Sequence, residues 1–253
     1  MATPDQATEP MLNDMSLLEH LDELRNRLIK SALAIFICTF VAAIFTKQIL
    51  QLLIEPYGFP LQVLGPTEGV AIYFRVALTA GLVLAMPYLV YHFLMFVLPG
   101  LEENEKLYVW WGVPVATLLF LIGVAFAWFV LLPTAIGFLS NWQTDIFTPE
   151  WQSQKYIPFV TSLIFWIGVS FETPLLFFIL GKLGWVNPQL MLKQWRFAVV
   201  IIAIVSAMIT PTVDPFNMAL VMGPLFSLYL FSILLVYLAQ NPLGSLWPFK
   251  RKQ

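Results

Sequence analysis

Long apolar stretches alternate with short polar segments along most of the chain. Six such stretches can be drawn, over residues 29–46, 71–98, 107–132, 157–181, 195–209 and 216–239. Lipid offers no partner to a free backbone group, so each stretch is predicted to be an α-helix that spans a membrane. The first and fifth are short for a hydrocarbon core of about 30 Å, which needs roughly 20 residues. They predict local thinning of the bilayer.

The segment before the first stretch has a different pattern, in which leucines recur at every third or fourth position among charged residues. The leucines fall on one helical stripe: Leu17, Leu21, Leu24 and Leu28. Ser16 and Glu19 have the spacing of a capping box, which predicts a helix start. Two interpretations stay open at this point. The helix is either solvated and stabilised by two ion pairs, Glu23 with Arg27 and Asp22 with Arg25, or it presents its charges to a partner at the membrane surface.

Composition places the chain in the membrane. It is 59% hydrophobic and 11% charged, with a mean hydropathy of +0.80, which is too apolar for a water-soluble core of this size. The fold class is therefore an all-α polytopic integral membrane protein with six transmembrane helices. We predict a polar tail at 1–15, one membrane domain at 16–240 and a short basic tail at 241–253. No basic patch with interleaved aromatics is present, which argues against nucleic-acid binding.

The distribution of basic residues predicts the orientation. On alternating sides of the six stretches, ten Lys and Arg residues share the side of the N-terminus and three lie on the other. By the positive-inside rule both termini are expected in the cytoplasm. The first dozen residues lack a basic segment followed by an apolar core, so no cleavable signal is predicted. Two longer outer loops, at 47–70 and 133–156, contain several prolines and are expected to form a semi-rigid cap.

Glu172 is the most unusual residue of the apolar stretches. A carboxylate within a transmembrane helix costs a few kcal/mol even on insertion scales. Pro174, two residues further on, removes a backbone hydrogen bond and predicts a kink. Glu172 is expected either to bond a carbonyl of its own helix as a neutral carboxyl or to bind a partner or an ion.

The segment between the second and third stretches carries three carboxylates within four positions: Glu102, Glu103 and Glu105. Acidic residues at the start of a helix suit its dipole, which is the simpler explanation. The alternative is that they act together with the acidic residues of the first helix and clamp an arginine-rich ligand, since carboxylates match guanidinium forks. Asp214 is placed to cap the helix that follows it.

Other chemistry has no support in the sequence. His20, His92 and Cys38 are the only residues of their types, and they form no metal-ligand pattern. No catalytic or phosphate-binding motif is present. We predict neither a metal, a cofactor nor an enzymatic activity.

Four motifs in series resemble the TatC family, the multispanning subunits of the twin-arginine protein translocase. They occupy residues 20–28, 96–105, 168–174 and 210–215 in the order and spacing of that family, and the resemblance covers roughly residues 16–240. It implies a receptor for folded proteins whose signal peptides carry two adjacent arginines. It also implies transport driven by the proton-motive force, small partner subunits of the TatA or TatB type, and self-association in a receptor complex.

The resemblance also implies roles for individual residues. Glu23 and Glu105 would receive the arginine pair. The surface around them would be shaped by Leu24, Arg25, Phe96, Pro99 and Leu101. A polar patch for the transmembrane helix of a small subunit would be formed by Glu172, Thr210 and Asn217. Pro56 and Asp214 would belong to the outer cap.

A second class of function stays open. An ion-coupled transporter of small molecules would use Glu172 as its proton or cation site, as intramembrane carboxylates often do. It predicts uptake by this chain alone. For the receptor, a bacterial inner membrane is expected, with a thylakoid or mitochondrial inner membrane as alternatives.

Overall fold

The computed structural model describes residues 17–97, 106–142, 150–210 and 214–240, and most of these residues are helical. In chain order the helices are α1 (Leu17–Ile54), α2 (Glu68–Val97), α3 (Lys106–Phe126), α4 (Leu132–Asn141), α5 (Ser153–Ser170), α6 (Thr173–Lys182), α7 (Pro188–Lys193), α8 (Trp195–Ile209) and α9 (Pro215–Gln240). A π-helical segment at Ala127–Leu131 joins α3 to α4. Over the described ranges the only β-pairing is one isolated parallel bridge, between Gln62 and Gln152. The predicted all-α class is confirmed.

Helix α1 unites the amphipathic segment and the first apolar stretch. It runs without interruption for 38 residues, about 57 Å, and its sequence contains neither glycine nor proline. The prediction of a short first span at 29–46 is wrong, because the apolar pattern resumes after Lys47 and one exposed lysine does not end a helix. Leu21–Ile54, 34 residues long, is apolar enough to cross a membrane.

Length and composition mark five membrane-spanning candidates within the described residues: Leu21–Ile54, Glu68–Phe96, Trp111–Asn141, Ser153–Lys182 and Pro215–Gln240. The fifth apolar stretch forms α8, with 15 residues, which is about 22 Å. The expectation that this stretch is short is confirmed. The chain is an integral membrane protein with five long apolar helical segments and a sixth short one.

The first two helices approach each other closely at Gly81. A Cβ atom at this position would lie 2.5 Å from the Cα atom of Thr39. Only glycine lets the backbones of α1 and α2 meet at this distance, as small residues do in membrane helix pairs. Gly69, on the same helix, has no such neighbour within 4 Å.

The helical path breaks near the middle of the fourth span. α5 ends at Ser170, two residues form a turn, and α6 begins at Thr173 with Pro174 in its first turn. This confirms the predicted disruption, because a proline cannot donate the backbone hydrogen bond that would continue α5. Glu172 therefore lies at the junction of the two helices.

The loop between α1 and α2 pairs with the residues that precede α5. We call residues 55–67 and 150–153 the cap. The backbone of Gln62 accepts from Ser153 at 2.9 Å and donates to Trp151 at 3.0 Å. Tyr57 stacks on Trp151 with ring centroids 4.5 Å apart. The two loops expected to form a cap thus contact each other, and both are shorter than expected because α1 and α4 continue further.

Candidate functional site

Glu23 lies on the first turns of α1 and already binds a guanidinium. Arg27, one turn further on, donates from Nε to Glu23 Oε1 at 2.9 Å and from Nη2 to the same oxygen. The exposed fractions of the two side chains are 18% for Arg27 and 23% for Glu23. In the described part of the chain no donor reaches Oε2 of Glu23. One carboxylate oxygen is thus available to a further donor.

The predicted neighbours of Glu23 differ in their placement. Leu24 is half-buried, whereas Arg25 is exposed and pairs with Asp22 at 3.3 Å. Both ion pairs foreseen on α1 are confirmed. The leucine stripe, in contrast, is largely exposed, since Leu21 and Leu28 are among the exposed apolar residues. The half-buried Glu23–Arg27 pair lies on the more protected side of the helix.

The second acidic surface is only partly described. Phe96 is half-buried at the end of α2. Pro99, Leu101 and Glu105 lie outside the described residues, in the segment between α2 and α3. The meeting of Glu23 and Glu105 therefore stays a prediction.

Glu172 is at the junction of α5 and α6. Its backbone follows the turn, donating to Val169 at 3.1 Å and accepting from Leu176 at 3.0 Å. Its side-chain atom Oε1 is buried and has no hydrogen-bond partner among the described residues. A bond from this oxygen to a carbonyl of its own helix, one of the two interpretations of the sequence, is thus not formed. A buried polar atom without a partner is costly, which makes the half-buried Glu172 a candidate for contact with a group from outside the chain.

The other two members of the predicted polar patch are buried, and each makes a hydrogen bond within the chain. Thr210 is 3% exposed and donates to the carbonyl of Ser206 at 2.7 Å. Asn217 is 1% exposed, and its Nδ2 donates to Asp214 Oδ2 at 3.0 Å. No hydrogen bond among the described residues joins either of them to Glu172. Asn217 Oδ1, like Glu172 Oε1, is buried and has no hydrogen-bond partner among the described residues.

Asp214 caps α9, as predicted. Its Oδ1 accepts from the backbone of Asn217 at 2.7 Å, three residues on, which is the geometry of an N-cap. Pro56 lies in the turn that ends α1, half-buried beside the buried ring of Tyr57. Pro56 thus lies within the cap, whereas the assignment of Asp214 to the outer cap stays a prediction.

Sequence reasoning missed Glu68, which holds the cap together. Its Oε2 accepts from the backbone of Leu64 at 2.9 Å and of Gly65 at 3.2 Å. Its Oε1 accepts from Ser153 Oγ at 2.6 Å and from the backbone of Gln154 at 2.8 Å. One carboxylate thus joins the first loop to the start of α5. The only local signal is an acidic residue in the first turn of a helix, which the dipole alone would explain.

The apolar helical spans define a polytopic membrane protein. The family model described as Sec-independent protein translocase protein (TatC) matches residues 19–224. The chain belongs to the TatC family, whose members act in protein transport by the Tat translocase.

Named relatives come from bacteria and chloroplasts. TatC of Synechocystis is 35% identical over 217 residues, which are 85% of each chain. TatC of Deinococcus radiodurans is 36% identical over 238 residues, which are 89% of this chain and 87% of the relative. The rice chloroplast protein TATC is 33% identical over 90% of this chain and 64% of its own length.

A solved structure has the same fold. The crystal structure of the twin arginine translocase receptor TatC has a TM-score of 0.81 and is 34% identical, covering 87% of this chain and 99% of that one. A second crystal structure of that receptor, in the detergent DDM, has a TM-score of 0.80. The recognition of the family from four short motifs is confirmed.

Proposed function

We propose that the chain is the receptor subunit of a twin-arginine translocase. It binds the signal peptides of folded proteins at the cytoplasmic face and recruits small single-span subunits for export driven by the proton-motive force. In this proposal six helices cross a bacterial inner membrane and both termini are cytoplasmic. The subunit assembles with further copies of itself in the receptor complex.

The observation that carries the proposal is the guanidinium on Glu23. The carboxylate accepts two N–H groups of Arg27 in a half-buried position, so its surroundings suit an arginine side chain. Charge-assisted bonds of this kind are about twice as strong as neutral ones. A signal-peptide arginine would bind Oε2, or would replace Arg27 on Oε1.

The second arginine is assigned to Glu105. A lysine would fit this pair of carboxylates less well, because an ammonium lacks the planar fork that matches two oxygens. Leu24 and Phe96, both half-buried, supply apolar surface for the hydrophobic part of the signal peptide. Pro99 and Leu101 would shape the same surface.

Recruitment of a small subunit is assigned to Glu172. Its buried Oε1 without a partner suits a hydroxyl or amide group on the transmembrane helix of that subunit. Thr210 and Asn217, which are buried, are assigned to the same polar patch.

The test is the binding of a twin-arginine signal peptide to the purified chain in nanodiscs. A twin-lysine peptide is compared, and Glu23→Gln and Glu105→Gln are measured beside the wild type. We expect arginine-selective binding that each substitution weakens about tenfold or more, since a hydrogen bond to a charged group contributes about 1.5–3 kcal/mol. Unchanged binding in both variants would refute the receptor site.

The transporter alternative predicts a different result. It requires proton or solute flux through liposomes that contain this chain alone, and Glu172→Gln should abolish that flux. Flux without arginine-selective peptide binding would replace the receptor proposal by the transporter.

A further inference from the structure

Arg75 is a cation on the lipid-facing surface of an apolar span. It lies within Glu68–Phe96 and is exposed, seven residues from the first residue of α2, or about 10 Å along the helix axis. Its neighbour Phe74 is 69% exposed. An ionised side chain in this setting is expensive unless it finds a partner, and such residues are often functional.

The described part of the chain does not supply that partner. Nη2 of Arg75 donates to Ser162 Oγ on α5 at 3.4 Å, which is long for a hydrogen bond. No carboxylate among the described residues lies within 4.0 Å of the guanidinium. A guanidinium has five N–H donors in a planar fork, so most of its capacity is free.

The surroundings of Arg75 are arranged like the boundary between headgroups and acyl chains. Helical side chains lean toward the N-terminus of their helix, so Arg75 reaches toward the cap. Lys155 lies two turns from Ser162 on the same stripe of α5, nearer the cap, and is exposed. On the side away from the cap follow the exposed apolar side chains of Leu78 and Trp166. Positive charge at one level is thus followed by apolar surface deeper in the span.

We propose that the seam between α2 and α5 binds an anionic phospholipid. Its phosphate accepts from the guanidinium of Arg75 and from the hydroxyl of Ser162, Lys155 adds attraction for the headgroup, and an acyl chain lies along Leu78 and Trp166. Guanidinium forks match phosphate oxygens bidentately. A phospholipid presents both the anion and the apolar chain at these depths. The inference does not depend on the receptor function, since none of these residues belongs to the proposed peptide site.

The test uses the full chain, purified in detergent and delipidated. Phosphatidylglycerol and phosphatidylcholine with the same acyl chains are added in turn, and bound lipid is counted by native mass spectrometry. The wild type should prefer phosphatidylglycerol, and Arg75→Gln should weaken its binding about tenfold. Arg75→Lys keeps the charge without the fork and should have an intermediate affinity. This variant also guards against a folding defect in Arg75→Gln.

Lys47→Gln is the matched control. Lys47 is exposed on α1 at the same end of the bundle, and the substitution removes the same charge away from the seam, so it should leave lipid binding unchanged. Equal loss in Lys47→Gln and Arg75→Gln would mean that net charge alone attracts the lipid, and the site would be wrong.

Two further outcomes would overturn the proposal. Inorganic phosphate that competes fully with the lipid would show that the acyl chain contributes nothing. Unchanged lipid binding in Arg75→Gln, together with lost co-purification of a small single-span subunit, would instead assign Arg75 to a carboxylate of a partner helix.

Discussion

Arg27 binds Glu23 through two N–H groups that converge on the same carboxylate oxygen, one turn apart on α1. In the proposed receptor this intrahelical guanidinium occupies the carboxylate that an incoming arginine needs. The resident pair therefore competes with the ligand, and its strength sets part of the ligand's affinity.

Arg27→Gln should raise the affinity for a twin-arginine signal peptide. The substitution frees Oε1 of Glu23 from its resident partner, and a helical pair of this spacing contributes about 0.5 kcal/mol, which corresponds to about a twofold gain in affinity. The pair is half-buried and less screened by water than an exposed pair, so the twofold gain is a lower bound. Titration of a fluorescent peptide against both proteins measures the change.

Lys30→Gln provides the control, since it removes the same charge from an exposed position on the same helix and should have a smaller effect. A weaker peptide affinity in Arg27→Gln would contradict competition. It would instead assign Arg27 the task of positioning Glu23.

Glu172→Ala should spare signal-peptide binding and reduce the recruitment of small subunits. A polar contact between membrane helices contributes about 0.6–2 kcal/mol, so the loss should be about three- to thirtyfold. Cross-linking yields to a single-span subunit, measured beside peptide affinity, separate the two effects. Glu172→Gln keeps a hydrogen-bonding group at the junction and should retain more recruitment than Glu172→Ala. Equal cross-linking yields in the wild type and both variants would contradict the role of Glu172 in recruitment.

Glu68→Gln should loosen the cap. The carboxylate accepts four hydrogen bonds. The amide NH2 group of glutamine cannot accept a hydrogen bond, so at least one of the four donors would face another donor. We expect a lower apparent Tm and faster proteolysis near residues 55–67. Glu55→Gln is the matched control, because Glu55 is exposed in the same loop and its neutralisation should leave the Tm unchanged.

Substitution by alanine should change the stability of the protein in opposite directions at two glycines of α2. Gly81→Ala forces a methyl group against the backbone of Thr39, and overpacking of this kind costs about 1–3 kcal/mol. Gly69→Ala meets no atom within 4 Å and should stabilise the helix by less than the roughly 0.5–1 kcal/mol of a helix interior, because Gly69 is the second residue of α2. Thermal denaturation of both variants in the same detergent, followed by fluorescence, compares them directly. Equal shifts would mean that α1 and α2 are not held at the distance described.

Features set by neighbouring residues could be predicted from the sequence. The ion pairs of α1, the break before Pro174 and the cap of α9 by Asp214 each depend on residues within four positions of one another. Apolar runs located the spans because lipid imposes helix on every such run. Four short motifs were enough to find the family.

Features that depend on distant residues escaped prediction. Ser153 and Gln154 bind Glu68 from 85 and 86 positions further along the chain, and no local pattern indicates such a contact. The burial of Asn217 was missed for a similar reason, because it follows from packing among helices. α1 continues past Lys47, where the charge predicts the end of the first span, because one exposed lysine does not interrupt a helix.

The unbroken course of α1 makes this helix stiff over its whole length. Glu23 and Leu53, which is buried in the main core cluster beneath the cap, are 30 residues apart on one helix, or about 45 Å. With no glycine or proline between them to act as a hinge, the helix behaves as a stiff rod. In the proposed receptor, a peptide that tilts the Glu23 end of this helix would therefore also shift the end beside the cap.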